Sequence, residues 1–216
     1  MIDSSASAVK SSRSYDSTRR REQARQSRSR VIQTAERMFL TSGYSSTTVQ
    51  AIAVAAGVSA DTVYKSFGGK PGLIRAIRDH ALAGEGPIPA ERRSEAIQQR
   101  EPDPRKVINA WGDFVAELAP RVSPILLLVR DAAATDPDVR ALQDELDADR
   151  LKRMTDNARR LRDAGHLRPD MPLTRAADIL WTYSSPELYQ LLVLRRGWTL
   201  ERYGKFVAEA MIKALL

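Results

Sequence analysis

The chain has 216 residues, 43% hydrophobic and 28% charged, an ordinary soluble composition that excludes fibrous repeats and wholesale disorder. It has no cysteine, which excludes disulfide stapling, thiolate catalysis and sulfur-ligated metal, and its two histidines, His80 and His166, leave little for a histidine-based site. The net charge of +7 is uneven: residues 1–83 carry thirteen Lys and Arg against six Asp and Glu, whereas residues 84–216 carry twenty-one of each, so a polyanion partner is expected at the N-terminal end only.

Residues 1–26 are rich in Ser and Arg and read as a flexible basic arm. They lack the apolar segment of a secretory signal, and the longest apolar run, Ile125 to Val129, is too short to span a bilayer. A cytoplasmic protein with no membrane partner is expected. From Arg28 onward, Val31, Ile32, Ala35, Met38 and Phe39 recur on one helical face. Gly43 stops that helix, and Tyr44 is placed to pack back on its last turn. Thr48 is the predicted N-cap of a second helix, with Val49, Ile52 and Ala53 inward and Gly57 ending it. Ser59 caps a third, short helix from Ala60 to Phe67. The fourth starts near Lys70 with Pro71 in its first turn, where a missing N–H costs nothing, and runs to about Leu82.

Between Ala83 and Pro104 the run GEGPIP and its neighbours predict a linker, or a loop around a short helix. Helices are then predicted over Arg105 to Leu118, Pro124 to Ala134, Pro137 to Ala164, Leu173 to Ser184, Glu187 to Arg195 and Leu200 to Leu216. No segment shows sustained two-residue alternation. The expected fold is all-α: an arm over 1–26, a three-helix head with its connecting fourth helix over 27–83, and a larger helical body over 84–216.

The segment TVQAIAVAAGVSADTVYKSF sets two short helices around Gly57, Val58 and Ser59, with alanines where the pair must approach closely. That is the pattern of a helix-turn-helix, in which one helix braces and the next enters a major groove about 12 Å wide. A Gly-centred turn also occurs in helical domains without this role. Residues 28–78 further resemble the DNA-binding head of the TetR family of bacterial transcriptional regulators. The resemblance is carried by Ile32, Ala35, Phe39, Gly43, Tyr44, Thr47, Thr48, Ile52, Ala53, Ala56, Gly57, Val58, Ser59, Thr62, Tyr64, Phe67, Lys70 and Leu73. The turn FGGKPG is more glycine-rich than the family's usual pattern. GHLRPD and PELYQLLVLRRGWTLERYGKFV look like the family's closing segments.

The resemblance implies a homodimeric repressor, released from a partly palindromic double-stranded DNA operator when a small molecule enters the body. It places Ala60, Asp61, Thr62, Tyr64 and Lys65 on the recognition helix, with Thr48 and Lys70 at phosphate-holding positions. Thr62 is equally readable as a local cap, Tyr64 as a packed aromatic, and Lys70 as a solvated helix-start lysine. Arg28 and Arg30 are either grips on the flanking backbone or exposed charge. It also implies that the segment after Pro186 and the closing helix pair across a two-fold axis, with Glu187, Leu191, Leu194, Phe206, Ala210 and Leu215 at the interface.

In the body, Trp111 and Phe114 share one helical face and Trp181 lies in another helix. With Leu127, Met154 and Tyr183 they are candidates to line a mostly apolar ligand pocket, and equally candidates for plain core. Catalysis is not expected. Asp144, Glu145, Asp147 and Asp149 with Lys152 and Arg153 form the charge run of an exposed helix, and no phosphate-cradling glycine loop or histidine–glutamate zinc motif is present. No catalytic residue, cofactor or metal is therefore assigned. A DNA-binding regulator without a ligand, or an architectural DNA-binding protein, is the alternative left open.

Overall fold

The computed structural model describes residues 6–84 and 88–216, without the side chains of residues 6–18 and 20. Ten α-helices make up the described residues, with no strand among them. The chain divides into two compact units, the first ending at Ile77 and the second beginning at Arg78. That division falls inside one helix, α4, six residues before the end of the head expected from sequence.

In the first unit α1 spans Ala6–Ser42, α2 Val49–Ala56, α3 Ala60–Phe67, and α4 starts at Lys70 on its way to Ala83. Residues 6–26, expected as a mobile arm, are helical and continuous with the segment that begins at Arg28, a correction to the sequence reading. No Gly or Pro interrupts residues 6–42, so nothing in the backbone chemistry stops the helix before Gly43. Residues 1–5 of the expected arm, and residues 85–87 of the GEGPIP run, lie outside the described residues. The unit's core buries the expected Val31, Ile32, Ala35, Phe39, Ile52, Ala53, Leu73 and Ile74 together with Val63 and with Tyr44, which stacks on Phe39, while Met38 is half-buried.

The second unit contains α5 (Ala90–Arg100), α6 (Pro104–Ala133), α7 (Pro137–Asp163), α8 (Leu173–Tyr183), α9 (Pro186–Tyr189) and α10 (Leu200–Leu215). A π-helical segment, Gln190–Arg195, continues α9. The break expected between Leu118 and Pro124 is absent: α6 runs through Pro120 and Pro124 as one helix. Each proline removes one donor to a carbonyl four residues earlier, a local cost that the packing of α6 against α7 and α10 outweighs. Asp103 and Asp136 cap α6 and α7 by accepting from the amides of the first turn.

The closest approach in this unit is between α6 and α10. A Cβ built on Gly112 would lie 2.5 Å from the carbonyl oxygen of Gly204, and one built on Gly204 would lie 2.7 Å from that of Gly112. The neighbours at this crossing are also small: the Cβ atoms of Ala208 and Ala116 lie 2.8 and 3.0 Å from those same two positions. Around the crossing a single core gathers Ile108, Trp111, Leu180, Tyr203, Val207 and Met211. Because the clashing atoms are backbone, the strain of a methyl here has no side chain to absorb it. Gly112→Ala is expected to cost about 3 kcal/mol and to lower Tm by about 10 °C. A thermal unfolding curve unchanged within two degrees would contradict the close crossing.

Candidate nucleic-acid interface and ligand cavity

The head presents α3 outward. Of its eight residues only Val63 is buried, while Asp61, Thr62, Tyr64, Lys65 and Ser66 are exposed and Ala60 is half-buried. Tyr64 is 51% exposed, so its ring is not a core aromatic. A helix anchored by one side chain and bare over most of its circumference has the shape a major groove accepts.

Both ends of the two-helix motif are fixed by the capping chemistry read from the sequence. The Thr48 hydroxyl accepts from the Ala51 amide at 3.1 Å, and Gly57 ends α2 in the left-handed conformation at φ 67°. Ser59 Oγ accepts from the Thr62 amide at 3.1 Å and lies 2.8 Å from Thr62 Oγ1. Thr62 is therefore engaged in the local cap while still exposed. Thr47, buried, donates to the carbonyls of Gly43 and Met38 and closes the turn between α1 and α2. Gly72 answers for part of the glycine-rich FGGKPG turn, since a Cβ there would lie 1.6 Å from the Phe67 carbonyl oxygen.

Three of the predicted cations already have partners in the head. Lys65 pairs with Asp61 at 2.8 Å on the exposed face of α3. An i,i+4 pair so open to water is worth a few tenths of a kcal/mol, so exchange for a phosphate costs little. Arg28 donates to the Ser66 carbonyl at 3.2 Å and lies 4.4 Å over the Phe67 ring, which fixes α1 to the C-terminal end of α3. Lys70 donates to the Tyr44 carbonyl at 2.8 Å and sits 4.1 Å over the same residue's ring. Arg28 and Lys70 thus hold the head together, a role the sequence reading did not assign them. Arg30 is exposed and contacts Ser27.

The second unit holds a cavity of about 700 Å³, the size range of small-molecule sites. Trp111, Phe114 and Met154 line it, as expected, whereas Leu127, Trp181 and Tyr183 are not part of its wall. Leu127 is buried in the body, and Trp181 lies under the guanidinium of Arg150, 4.2 Å away. The Trp111 indole N–H donates to Ser94 Oγ at 3.1 Å. Arg150 donates to the Trp181 carbonyl and contacts Asp147 at 3.4 Å. Desolvation lowers its pKa from the ordinary arginine range, with Asp147 opposing. Tyr203, which the sequence analysis does not single out, contributes to the cavity wall but is fully buried, and its hydroxyl has no hydrogen-bond partner among the described residues. Burial, and secondarily Tyr189, push its pKa above the ordinary phenol value. No periodicity marks such a residue, because what distinguishes it is a missing neighbour.

Of the residues expected at a two-fold interface, Leu191 and Leu194 are 50% and 57% exposed and Phe206 is partly exposed, with Trp198 edge-on to its ring at 5.4 Å. Glu187 is exposed and lies 3.5 Å from Arg130, and Ala210 is half-buried. Leu215 corrects the expectation: it is fully buried in the body's own core and offers nothing to a partner. No helix among the described residues is long and apolar enough to cross a membrane.

A trihelical head with an exposed, doubly capped α3, followed by a helical body around a cavity, defines a helix-turn-helix DNA-binding protein. Residues 31–77 match the family described as bacterial regulatory proteins, tetR family. The head is thus similar to the DNA-binding segment of these regulators, and DNA binding is supported at that end of the chain. No curated protein matches the chain. Among solved structures it is similar to NalD, the secondary repressor of the MexAB-OprM multidrug efflux pump in Pseudomonas aeruginosa, at 20% identity, covering 90% of this chain and 98% of that one, with a TM-score of 0.68. It is also similar to the SmeT–triclosan complex, at 24% identity, 88% and 91% coverage and a TM-score of 0.66. The regulator FadR from Bacillus subtilis in complex with stearoyl-CoA matches at 15% identity, 87% and 98% coverage and a TM-score of 0.66. At these identities the likeness is one of fold.

The cap on α3 supplies a local test. Ser59→Ala removes the acceptor for the Thr62 amide and is expected to cost about 1 kcal/mol, read as roughly fivefold faster hydrogen exchange at that amide. Ser59→Gly, at a few tenths of a kcal/mol, serves as the comparison. Equal exchange in wild type and Ser59→Ala would show that the cap does not hold the helix.

Proposed function

We propose that the chain is a homodimeric cytoplasmic repressor, not an enzyme, that leaves a palindromic operator when a small, largely apolar molecule fills the body cavity. The cavity is the observation that carries this reading. A cleft of about 700 Å³, open on one side and walled elsewhere by Trp111, Phe114, Leu118, Leu146 and Leu180, is in the size range of small-molecule sites. The fold relatives solved with triclosan and with stearoyl-CoA support a body that holds ligands, and NalD, described as a repressor, supports the direction of control.

Ala60, Asp61, Thr62, Tyr64 and Lys65 face the groove in this reading, Thr48 and Arg30 take flanking phosphates, and Arg28 and Lys70 brace the helix that does the reading. Exposed Leu191, Leu194 and Phe206 are the apolar side chains a second copy would cover in this reading. Pairing would set two recognition helices about 34 Å apart or at a longer spacing. Helix α4 supplies Lys70 to the head and Arg78, Asp79 and Leu82 to the cavity wall, which makes it the element a ligand would move. Control requires the ligand to bind the DNA-incompetent arrangement more tightly than the competent one.

Selection from random duplexes at about 150 mM salt is expected to recover a palindrome preferred over a scrambled duplex by about 10³-fold or more. Enrichment without symmetry, or none at all, would refute specific dimeric binding. Lys65→Ala is expected to reduce the slope of log affinity against log salt by about one, as measured by anisotropy of the selected duplex. Leu194→Glu is expected to halve the mass seen by light scattering and to abolish operator binding. A variant that stays dimeric would place the interface elsewhere.

A further inference from the structure

One stripe of α1 changes chemistry where the helix leaves the head. Positions 21, 25, 28, 32, 35 and 39 follow one another at alternating intervals of four and three, so they share one face of the helix. The later half of the stripe, Ile32, Ala35 and Phe39, is buried in the head's core. The earlier half is Arg21, Arg25 and Arg28, all exposed. Arg28 marks the turnover, with its guanidinium at the Ser66 carbonyl and over the Phe67 ring, at the C-terminal end of α3. Arg25 and Arg21 continue the same face one and two turns further on, roughly 5 and 10 Å along the helix from that anchor at about 1.5 Å per residue.

This part of α1 has no use in the interior. Between Asp16 and Arg30 the sequence offers one apolar residue, Ala24, and it is exposed. A helix polar all round has no face to pack on its own chain. From Arg19 to Arg30 six arginines stand against one acid, Glu22. Glu22 pairs with Arg25 at 2.8 Å, but the Arg25 side chain is 78% exposed, and a pair so open to water releases its arginine readily. Arginines in such excess match the regular negative charge of a nucleic-acid backbone. A lipid surface fits poorly, because a helix lying in a membrane interface buries an apolar face and this one has none. Position points the same way: a helix seated in a major groove about 12 Å wide is bordered by phosphates on both sides, and the arginine stripe sets out from the end of α3 over a comparable distance.

Resting on the reading of α3 as the groove-facing helix, we propose that Arg21 and Arg25 of α1 form a second DNA-binding surface, which grips the phosphate backbone of the base pairs flanking each half-site, outside the sequence that α3 reads. The stripe adds affinity without adding sequence preference, because phosphates carry no base identity. One face of α1 thereby serves as core from Ile32 onward and as a backbone clamp before Arg28.

The test takes the palindromic duplex recovered by selection, either ending at the palindrome or lengthened on each side by about ten base pairs of arbitrary sequence, one turn of duplex. Anisotropy with the full chain at about 150 mM salt is expected to show the lengthened duplex bound about tenfold tighter by the wild type. Glutamine keeps the helix propensity of arginine while removing its charge. The double variant Arg21→Gln, Arg25→Gln is expected to bind the two duplexes equally, to lower the salt slope on the lengthened duplex by about two for each head engaged, and to keep the preference for the palindrome over a scrambled duplex. Arg19→Gln removes a charge from the opposite side of α1 and is expected to keep the preference for the flanks. All three chains are expected to melt within about two degrees of one another, since the substituted side chains are exposed. The proposal is overturned if the wild type binds both duplexes equally, if the double variant keeps its preference for the longer one, or if Arg19→Gln loses as much. It is likewise overturned if the double variant keeps the flank preference but loses binding to phosphatidylglycerol vesicles, which would assign the stripe to a membrane surface. A palindrome bound without regard to its flanks removes only the role of the stripe, whereas failure to bind any duplex removes the DNA-binding reading of the head and the proposal with it.

Discussion

The body is organised by the contact of two backbones. Gly112 on α6 and Gly204 on α10 approach so closely that neither position has room for a methyl group, and Ala116 and Ala208 extend the small-residue seam by one turn on each helix. The residues beside the two glycines inherit their positions from this crossing. Trp111 precedes Gly112 and Tyr203 precedes Gly204, so two of the aromatic residues beside the cavity are both set by the same contact. Packing at van der Waals distance is unforgiving of even one methylene, so a shift of α10 against α6 would be felt by both side chains at once.

The head could be read from local chemistry because local chemistry builds it. Thr48, Gly57 and Ser59 act over three or four residues, and the apolar period of Val31, Ile32, Ala35 and Phe39 needs only one helix face. The misreadings share a cause. The resemblance implies a phosphate-holding place for Lys70, and the sequence alone does not show that its ammonium meets Tyr44, twenty-six positions earlier, which no window along the chain contains. Leu215 has an exposed-looking place at the end of the chain but is enclosed by the core. Pro120 and Pro124 suggested a gap, and tertiary packing carried α6 through both.

One signal for the body was present and went unread. The pattern Gly-x-Phe-Val-Ala occurs twice, at residues 112–116 and 204–208, and these are the two stretches that cross. A glycine and an alanine four apart on a helix mark a face stripped of side chains, which is costly unless another helix fills it. The pocket residues were only half legible for a different reason. Trp111, Phe114 and Met154 line the cavity while Trp181 and Tyr183 do not, and all five are large apolar side chains on helices.

Division of labour within the head follows from the weakness of its central element. An isolated helix of eight residues is far below the length at which helices hold themselves together in water. The conformation of α3 is therefore imposed from outside the face proposed to meet DNA: by Ser59 at its start, by Gly68 at its end, by Val63 in the core, and by Arg28 over Phe67 and at the Ser66 carbonyl. None of these four residues is among those proposed for base contact. Ala60, Asp61, Tyr64 and Lys65 are consequently free to differ without unfolding the element that displays them. A regulator built this way can change which duplex it reads by substitutions that leave the head's stability almost untouched, and it is this separation of support from recognition that allows so short a helix to carry sequence information.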